Sequence, residues 1–260
     1  MFWKILGKRK IGLVLGGGVT RGMAHIGVLK VIKKYQIPVE CIAAVSSGSL
    51  VGVGYAAGLD ISMLEKIALY LSWRKLIRLS FFQPGLITSD KIEQMIFKYI
   101  GDLDFSQLKI PVAVIATSLT SGEPLVISRG KIANAVVASS AFPGLFVPTK
   151  VNGGYAVDGS ISNNLPVDVV QEMGANFVIA VDVIPPAGGE IAPQNALEVF
   201  GKSLDLVLHR MSIPNRNKAD ILIEPKVGQD MWMLDRAKAQ QLIAAGEEAA
   251  EKVIAGLKLA

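Results

Sequence analysis

The sequence is poor in the residues that define several protein classes. Cys41 is the single cysteine, so no internal disulfide can form, and a disulfide-stapled secreted scaffold and a multi-cysteine zinc module are both excluded. Histidine occurs twice, at His25 and His209, which leaves little room for a histidine-rich metal centre. Charged residues make up 19% of the chain against 51% hydrophobic ones, and that balance excludes disorder. No internal repeat and no dividing linker is visible. At 260 residues such a chain buries roughly 70–75% of the surface its unfolded form exposes, so it needs no staple.

The apolar surplus makes a membrane span the first possibility to test. Residues 41–59 and 132–149 carry no charge, and both runs approach spanning length. The first holds Ser46, Ser47, Ser49 and four glycines, and the second is broken by Pro143, Gly144 and Pro148. Both are therefore expected to be buried segments of an α/β fold. The apolar run Ile11–Leu15 is too short for a signal peptide, and a cytoplasmic protein is expected. The net charge is +5. It accompanies no nucleic-acid-reading motif, and it gathers in two aromatic-basic stretches, MFWKILGKRK at the N-terminus and LYLSWRKLIRLSFF at 69–82. Such stretches suit the surface of an anionic bilayer. Residues 1–9 are expected to form a basic amphipathic tail, 10–260 one domain, and 69–82 a mobile lid.

Strand and helix signals alternate along the chain. Strands are expected at Ile11–Leu15, Cys41–Val45, Pro111–Leu119, Pro124–Ser128, Tyr155–Val157, Phe177–Val183 and Ile221–Ile223. Helices are expected at about 20–35, from Ser47 to Ala57, from a Ser62–Glu65 capping box, and at 88–99, 131–139, 166–173, 196–212 and 235–257. The alternation predicts a three-layer α/β/α sandwich with a mainly parallel sheet.

Three segments carry chemistry. LGGGVTRG (15–22) is a strand running into Gly16, Gly17 and Gly18 and then a helix. Backbone amides at such a turn bind negative charge, although Arg21 stands where a dinucleotide fingerprint needs glycine. The segment reads as a phosphate or oxyanion cradle, or as a tight turn. AVSSG (44–48) lies between a strand and a small-residue helix, the setting of a nucleophile elbow. It places Ser46 as nucleophile with Gly48 behind it; Ser47 fits the frame less well, and a serine here can also simply cap the helix. YAVDGSISNNLPVDVV (155–170) ends a strand at Asp158, before Gly159 and a loop. A carboxylate there can serve as a general base or cap its own loop.

In order and content these blocks resemble the patatin-like phospholipase family, close to its small bacterial members. GGGVTRGMAHIGVLK is similar to the family's glycine block followed by Arg21-Gly22, AVSSGSLVGVGYAAG to its elbow, and VDGSISNNLPVDVV to its Asp-Gly block. ASSAFPGLFVP (138–148) and LIAAGEEAAEKVI near the end also match recurring segments. The resemblance implies a Ser46–Asp158 dyad, a backbone oxyanion hole at Gly16–Gly18, supporting roles for Arg21, Gly22, Gly48 and Gly159, a lipid or phospholipid ester substrate, and no metal or cofactor. Ala44 stands where the elbow has its first glycine, Ser160 where the family has glycine or alanine, Val137 where arginine is common, and Phe142 where isoleucine is usual. Two rivals stay open. One is an α/β-hydrolase triad of Ser46, Asp158 and His209, which satisfies that fold's chain order. The other is a non-catalytic lipid-binding member with a degenerate site, which Ala44 and Ser160 keep in view. His25 is expected to pack or hydrogen-bond near the glycine loop, and Arg21 to pair with a carboxylate.

Overall fold

A computed structural model describes residues 9–72, 78, 84–186, 195–228, 230 and 232–256. The expected lid at 69–82 lies largely outside these residues, and so does the N-terminal tail. The strands are β1 (Ile11–Leu15), β2 (Val39–Val45), β3 (Val112–Ser118), β4 (Pro124–Ile127), β5 (Thr149–Val151), β6 (Gly154–Asp158), β7 (Phe177–Val181) and β8 (Ile221–Ile223). The helices are α1 (Ala24–Lys34), α2 (Ser47–Ala56), α3 (Ile61–Tyr70), α4 (Asp90–Ile100), α5 (Ile132–Ser139), α6 (Ser160–Asn163), α7 (Val167–Glu172), α8 (Ala196–Arg216) and α9 (Arg236–Gly256), with a 3-10 turn at Val19–Met23.

These elements form a mixed, mostly parallel sheet with helices on both faces, in the order β5-β6-β3-β2-β1-β7-β8, with β4 also on β3. β1, β2 and β7 have apolar residues facing both ways, as parallel strands buried on both faces do. Leu13, Leu15, Ile42, Ala44, Ile179 and Val181 point into the core shared with α1, α2, α5 and α9. Val14, Ala43, Val45, Val178 and Ala180 point the other way, onto Leu165, Val167 and Val170. This is the period-two alternation of a pleated strand. The two uncharged runs are thus core segments, and no helix of the described residues is long and apolar enough to cross a membrane.

The registers around β3 fix the site. β4 and β6 both pair with Ala116 and Thr117, and β2 and β4 both pair with Val114 and Ile115. A strand residue has one neighbour on each edge, so β2 and β6 must share one edge of β3, arriving from opposite ends. Val45 stands opposite Ile115 and Asp158 opposite the next residue, Ala116. The two strands meet head to head.

The structure corrects several local expectations. The cap of α3 is Asp60, whose carboxylate accepts from Ser62 N at 2.9 Å; Glu65 instead pairs with Lys30 Nζ at 2.8 Å. The first helix opens with the 3-10 turn rather than with α geometry. β6 has an unexpected hairpin partner in β5, and the loop after Asp158 contains the short helix α6. The helix expected to stop at 212 continues to Arg216, with Pro214 in its last turn.

Candidate active site

β2 ends at Val45, and the chain turns so sharply into α2 that Ser46 takes φ 51° and ψ −123°. A non-glycine residue at positive φ is uncommon and strained, and such residues cluster where a side chain must be presented. Gly48 is required by close approach, since a side chain there would begin 2.2 Å from the Leu15 carbonyl oxygen. Ala44 at the end of β2 is accommodated because Gly52 of α2 faces it; a Cβ at Gly52 would lie 3.4 Å from that of Ala44. The turn is pinned from the next strand. Ser46 N donates to Ser139 Oγ at 2.8 Å, and Ser139 Oγ donates to Ile115 O at 2.6 Å.

Ser46 Oγ donates to Asp158 Oδ2 at 2.6 Å, a short charge-assisted bond. The other carboxylate oxygen accepts from Ser160 N at 2.9 Å. Both residues are buried. Burial raises the Asp158 pKa from 3.8 to about 6, opposed by the hydrogen bonds from Ser46 and Ser160. Ser160 thus supports the ionised carboxylate. Gly159 follows in right-handed geometry with φ −67°. Its role is therefore not to permit an unusual turn but to let the chain pass β3, because a side chain there would begin 2.1 Å from Ile115 O.

The glycine loop lies against the serine. A Cβ on Gly17 would stand 3.2 Å from Ser46 Cβ, and Gly22 packs on Ser47 in the same way. Its carbonyls are held from two parts of the chain, the segment just after the loop and Asn164. Gly16 O meets His25 Nε2 at 2.7 Å, Gly17 O accepts from Asn164 Nδ2 at 3.5 Å, and Gly18 O accepts from Arg21 N at 3.0 Å and Nε at 3.3 Å. The Arg21 guanidinium is itself clamped by both oxygens of Asp205 on α8, at 2.9 and 2.6 Å. Burial lowers the His25 pKa to about 4, so near neutral pH it is an uncharged imidazole whose Nε2–H donates to the loop.

These bonds sort the loop's donors. The Gly16 amide donates to Val181 O at 3.1 Å and the Gly17 amide to Asn164 Oδ1 at 3.1 Å. The expected cradle of three glycine amides therefore narrows, since two of the three are already used. A trans peptide points its N–H away from its carbonyl, so holding Gly17 O and Gly18 O turns the amides of Gly18 and Val19 the other way. Among the described residues neither amide has a hydrogen-bond acceptor. Val19 has φ 54°, a strained value for a β-branched residue, and it lines a cavity together with Ser46, which also has positive φ.

That cavity, about 180 Å³, is lined by Ser46 and Asp158 and by residues of α2, α3 and α4. Met23, Leu50, Leu64, Ile96 and Phe146 line it, and Gly54 borders it two turns along α2. A narrower cleft beside Gly18, Ser46 and Asp158 is walled by Leu204 and Leu208 of α8.

The rival triad with His209 is not assembled among the described residues. No hydrogen bond of the described residues joins His209 to Ser46 or Asp158, and its Nδ1 is buried without a partner. A serine-carboxylate pair, a strained turn and two outward amides together suit attack on an acyl carbonyl. Sequence reading missed Asn164, Ser139 and Asp205. The Asn163-Asn164-Leu165-Pro166 block signalled a loop, whereas Asp205 lies 184 residues from Arg21 and gave no signal.

Comparisons with known proteins were made on this basis. The sequence model described as patatin-like phospholipase matches residues 13–170. Lysophospholipase nte1 of Aspergillus fumigatus is 33% identical over 202 residues, covering 75% of this chain and 13% of that protein. An uncharacterized NTE family protein of Mycobacterium tuberculosis strain H37Rv is 32% identical over 192 residues, covering 73% of this chain and 52% of its own. This chain therefore spans from about one eighth to about half of these relatives' lengths. VipD from Legionella pneumophila superposes with TM-score 0.69 at 16% identity, over 96% of this chain and 67% of that one. The type III effector ExoU superposes with TM-score 0.55 at 13% identity, over 97% and 54%. These two likenesses are of fold.

Proposed function

The chain belongs to the patatin-like phospholipase family, and from that premise we propose that it hydrolyses acyl esters of lipids through Ser46 and Asp158. The observation that carries the proposal is the 2.6 Å bond between Ser46 Oγ and Asp158 Oδ2 in the wall of an apolar cavity. Asp158 takes the hydroxyl proton as Ser46 Oγ attacks the ester carbonyl. The carbonyl oxygen gains the negative charge, which the Gly18 and Val19 amides receive. Removing one such donor in a serine protease costs about 10²–10³ in kcat. Collapse of the tetrahedral intermediate expels the alcohol, protonated from Asp158, and leaves an acyl-serine. Water, deprotonated by Asp158, then releases the fatty acid and restores the hydroxyl.

A carboxylate with a pKa raised to about 6 is a stronger base than an exposed one and is still mostly ionised near neutrality. The cavity supports an acyl chain as the group held: it is apolar, and it follows α2 from Ser47 to Gly54, roughly 10 Å at the helical rise. The relatives named lysophospholipases support a single-chain phospholipid as substrate. The test is hydrolysis of p-nitrophenyl esters and of a lysophosphatidylcholine, with fluorophosphonate labelling in parallel. Wild type should turn over and label, Ser46→Ala should do neither, and Asp158→Asn should lose turnover. A wild type that neither hydrolyses nor labels would favour the non-catalytic lipid-binding reading.

A further inference from the structure

α8 is apolar on two sides. Asp205, Leu208 and Ser212 are buried against the body of the protein. On the opposite side Val199, Phe200, Leu206, Val207, Met211 and Ile213 are each 43 to 52% exposed. At about 100° per residue these six share one face roughly 160° wide, along a helix about 30 Å long. Scattered exposed apolar residues need no explanation, but a contiguous strip of this kind marks an interaction site. Among the described residues nothing covers it.

We propose that this outer face of α8 is the surface by which the protein lies on an anionic lipid bilayer. Three observations select a bilayer as the occupant. The charges on and beside the strip are Arg210 and Lys202, both basic, and no acidic residue shares it; Glu198, at the start of the helix, is engaged by Asn195 Nδ2 at 2.8 Å. An apolar strip with basic residues among it is the pattern of an interfacial helix, and a long arginine side chain reaches headgroups while its stem stays among apolar neighbours. One edge of the strip also reaches the site: Phe200 meets Phe142 of the cavity edge to face, ring centroids 6.3 Å apart, while Leu204 and Leu208, turned inward on the same helix, wall the cleft at Ser46 and Asp158. A bilayer touching α8 is therefore one helix away from the Ser46–Asp158 pair. Finally, Asp205 on the inner side holds Arg21, which holds Gly18 O, so the docking helix and the glycine loop form one rigid unit.

The direction of docking rests on the lipid-hydrolase reading, and the experiment separates the two. Vesicles of phosphatidylcholine with phosphatidylglycerol are sedimented with the full chain carrying Ser46→Ala, so that nothing is consumed. The triple substitution Leu206→Ser, Val207→Ser, Met211→Ser, which alters side chains already half exposed, should lower the partition coefficient about 100-fold. Arg210→Glu should weaken binding to these vesicles and not to pure phosphatidylcholine. In the otherwise wild-type chain, the triple variant should hydrolyse a soluble short-chain ester at the wild-type rate. Wild-type partitioning by the triple variant would overturn the proposal. So would a wild type that ignores vesicles and sediments as a dimer which the triple variant breaks, because the face would then join two copies of the chain. Failure of the hydrolase reading would show as absent ester turnover, whatever the vesicles do.

Discussion

The two loops that meet at Ser46 are held by different means. The elbow is fixed by its backbone. A strained dihedral pair, the close packing of Gly48 on Leu15 O and one relay through Ser139 to β3 leave it no freedom. The glycine loop is fixed by side chains: His25, Asn164 and Arg21 each hold one of three consecutive carbonyls. The elbow depends on small residues at close contacts and on one side chain, Ser139, brought in by the fold. The glycine loop depends on two side chains near it in sequence, Arg21 and His25, and on Asn164 from 147 residues away.

The largest effects should fall on the elbow side. Ser46→Ala and Asp158→Asn are expected to abolish ester hydrolysis to within the assay background while leaving the fold intact. A variant with substantial residual turnover would show that the pair is not the reacting centre.

On the other side, the Arg21–Asp205 pair should matter most. Both residues are buried and the bond is bidentate. Removing one partner strands a buried charge, so Asp205→Ala should cost about 3–5 kcal/mol in denaturant unfolding. Arg21→Met combined with Asp205→Leu should recover most of that stability and still lower kcat, because Gly18 O loses its bond from the Arg21 side chain and keeps only the backbone bond from residue 21. Recovery of both stability and kcat would mean that the loop does not need this anchor.

Acidity sharpens the contrast, because Asp158 is the elbow's partner and carries the raised pKa. With its carboxyl at 3.8 unfolded and about 6 folded, the carboxylate is penalised in the fold by about 3 kcal/mol at high pH. That contribution is absent below about pH 4, where both states hold the proton, and stability is lost as pH rises through about 6. Asp158→Asn should therefore match wild type in thermal midpoint near pH 4 and exceed it at pH 8. The rate of ester cleavage should rise through about pH 6 as the base ionises. A pH-rate profile flat from pH 5 to 7 would count against Asp158 as the base.

Smaller effects test the loop and the cavity. Asn164→Ala should lower kcat about 10–100-fold with KM little changed, because it releases the Gly17 peptide without touching substrate. Gly54→Leu should leave p-nitrophenyl butyrate hydrolysis near wild type and depress the dodecanoate, since a side chain there begins 2.8 Å from Leu64 Cδ2 inside the cavity lining.

The same contrast explains what the sequence revealed. The α/β alternation, the elbow and the strand ending at Asp158 were legible because each is a local pattern of small and apolar residues with a fixed period. The bonds that occupy the Gly16 and Gly17 amides were not, because they depend on where Val181 and Asn164 arrive. Of the Arg21–Asp205 clamp, the pairing of Arg21 with a carboxylate was expected, but its partner was not legible, since Asp205 sits amid the apolar run of α8 without a marking motif. Ser160, which reads as a departure from the family pattern, donates its backbone N–H to the Asp158 carboxylate, a bond that glycine or alanine there would also make. β5 was missed because Thr149–Val151 holds a single apolar residue, Val151, whereas the equally short β8 is apolar throughout.

The head-to-head meeting of β2 and β6 on one edge of β3 has a kinetic consequence. The Ser46–Asp158 bond joins residues 112 apart, and β3, which aligns both strands, lies between them in sequence. Loop closure over such a span is slow, and the bond cannot form until β3 has paired with each strand in register. Ester turnover regained after dilution from denaturant should therefore lag behind the recovery of helical circular dichroism. The reacting pair would serve as a built-in clock for completion of the central sheet.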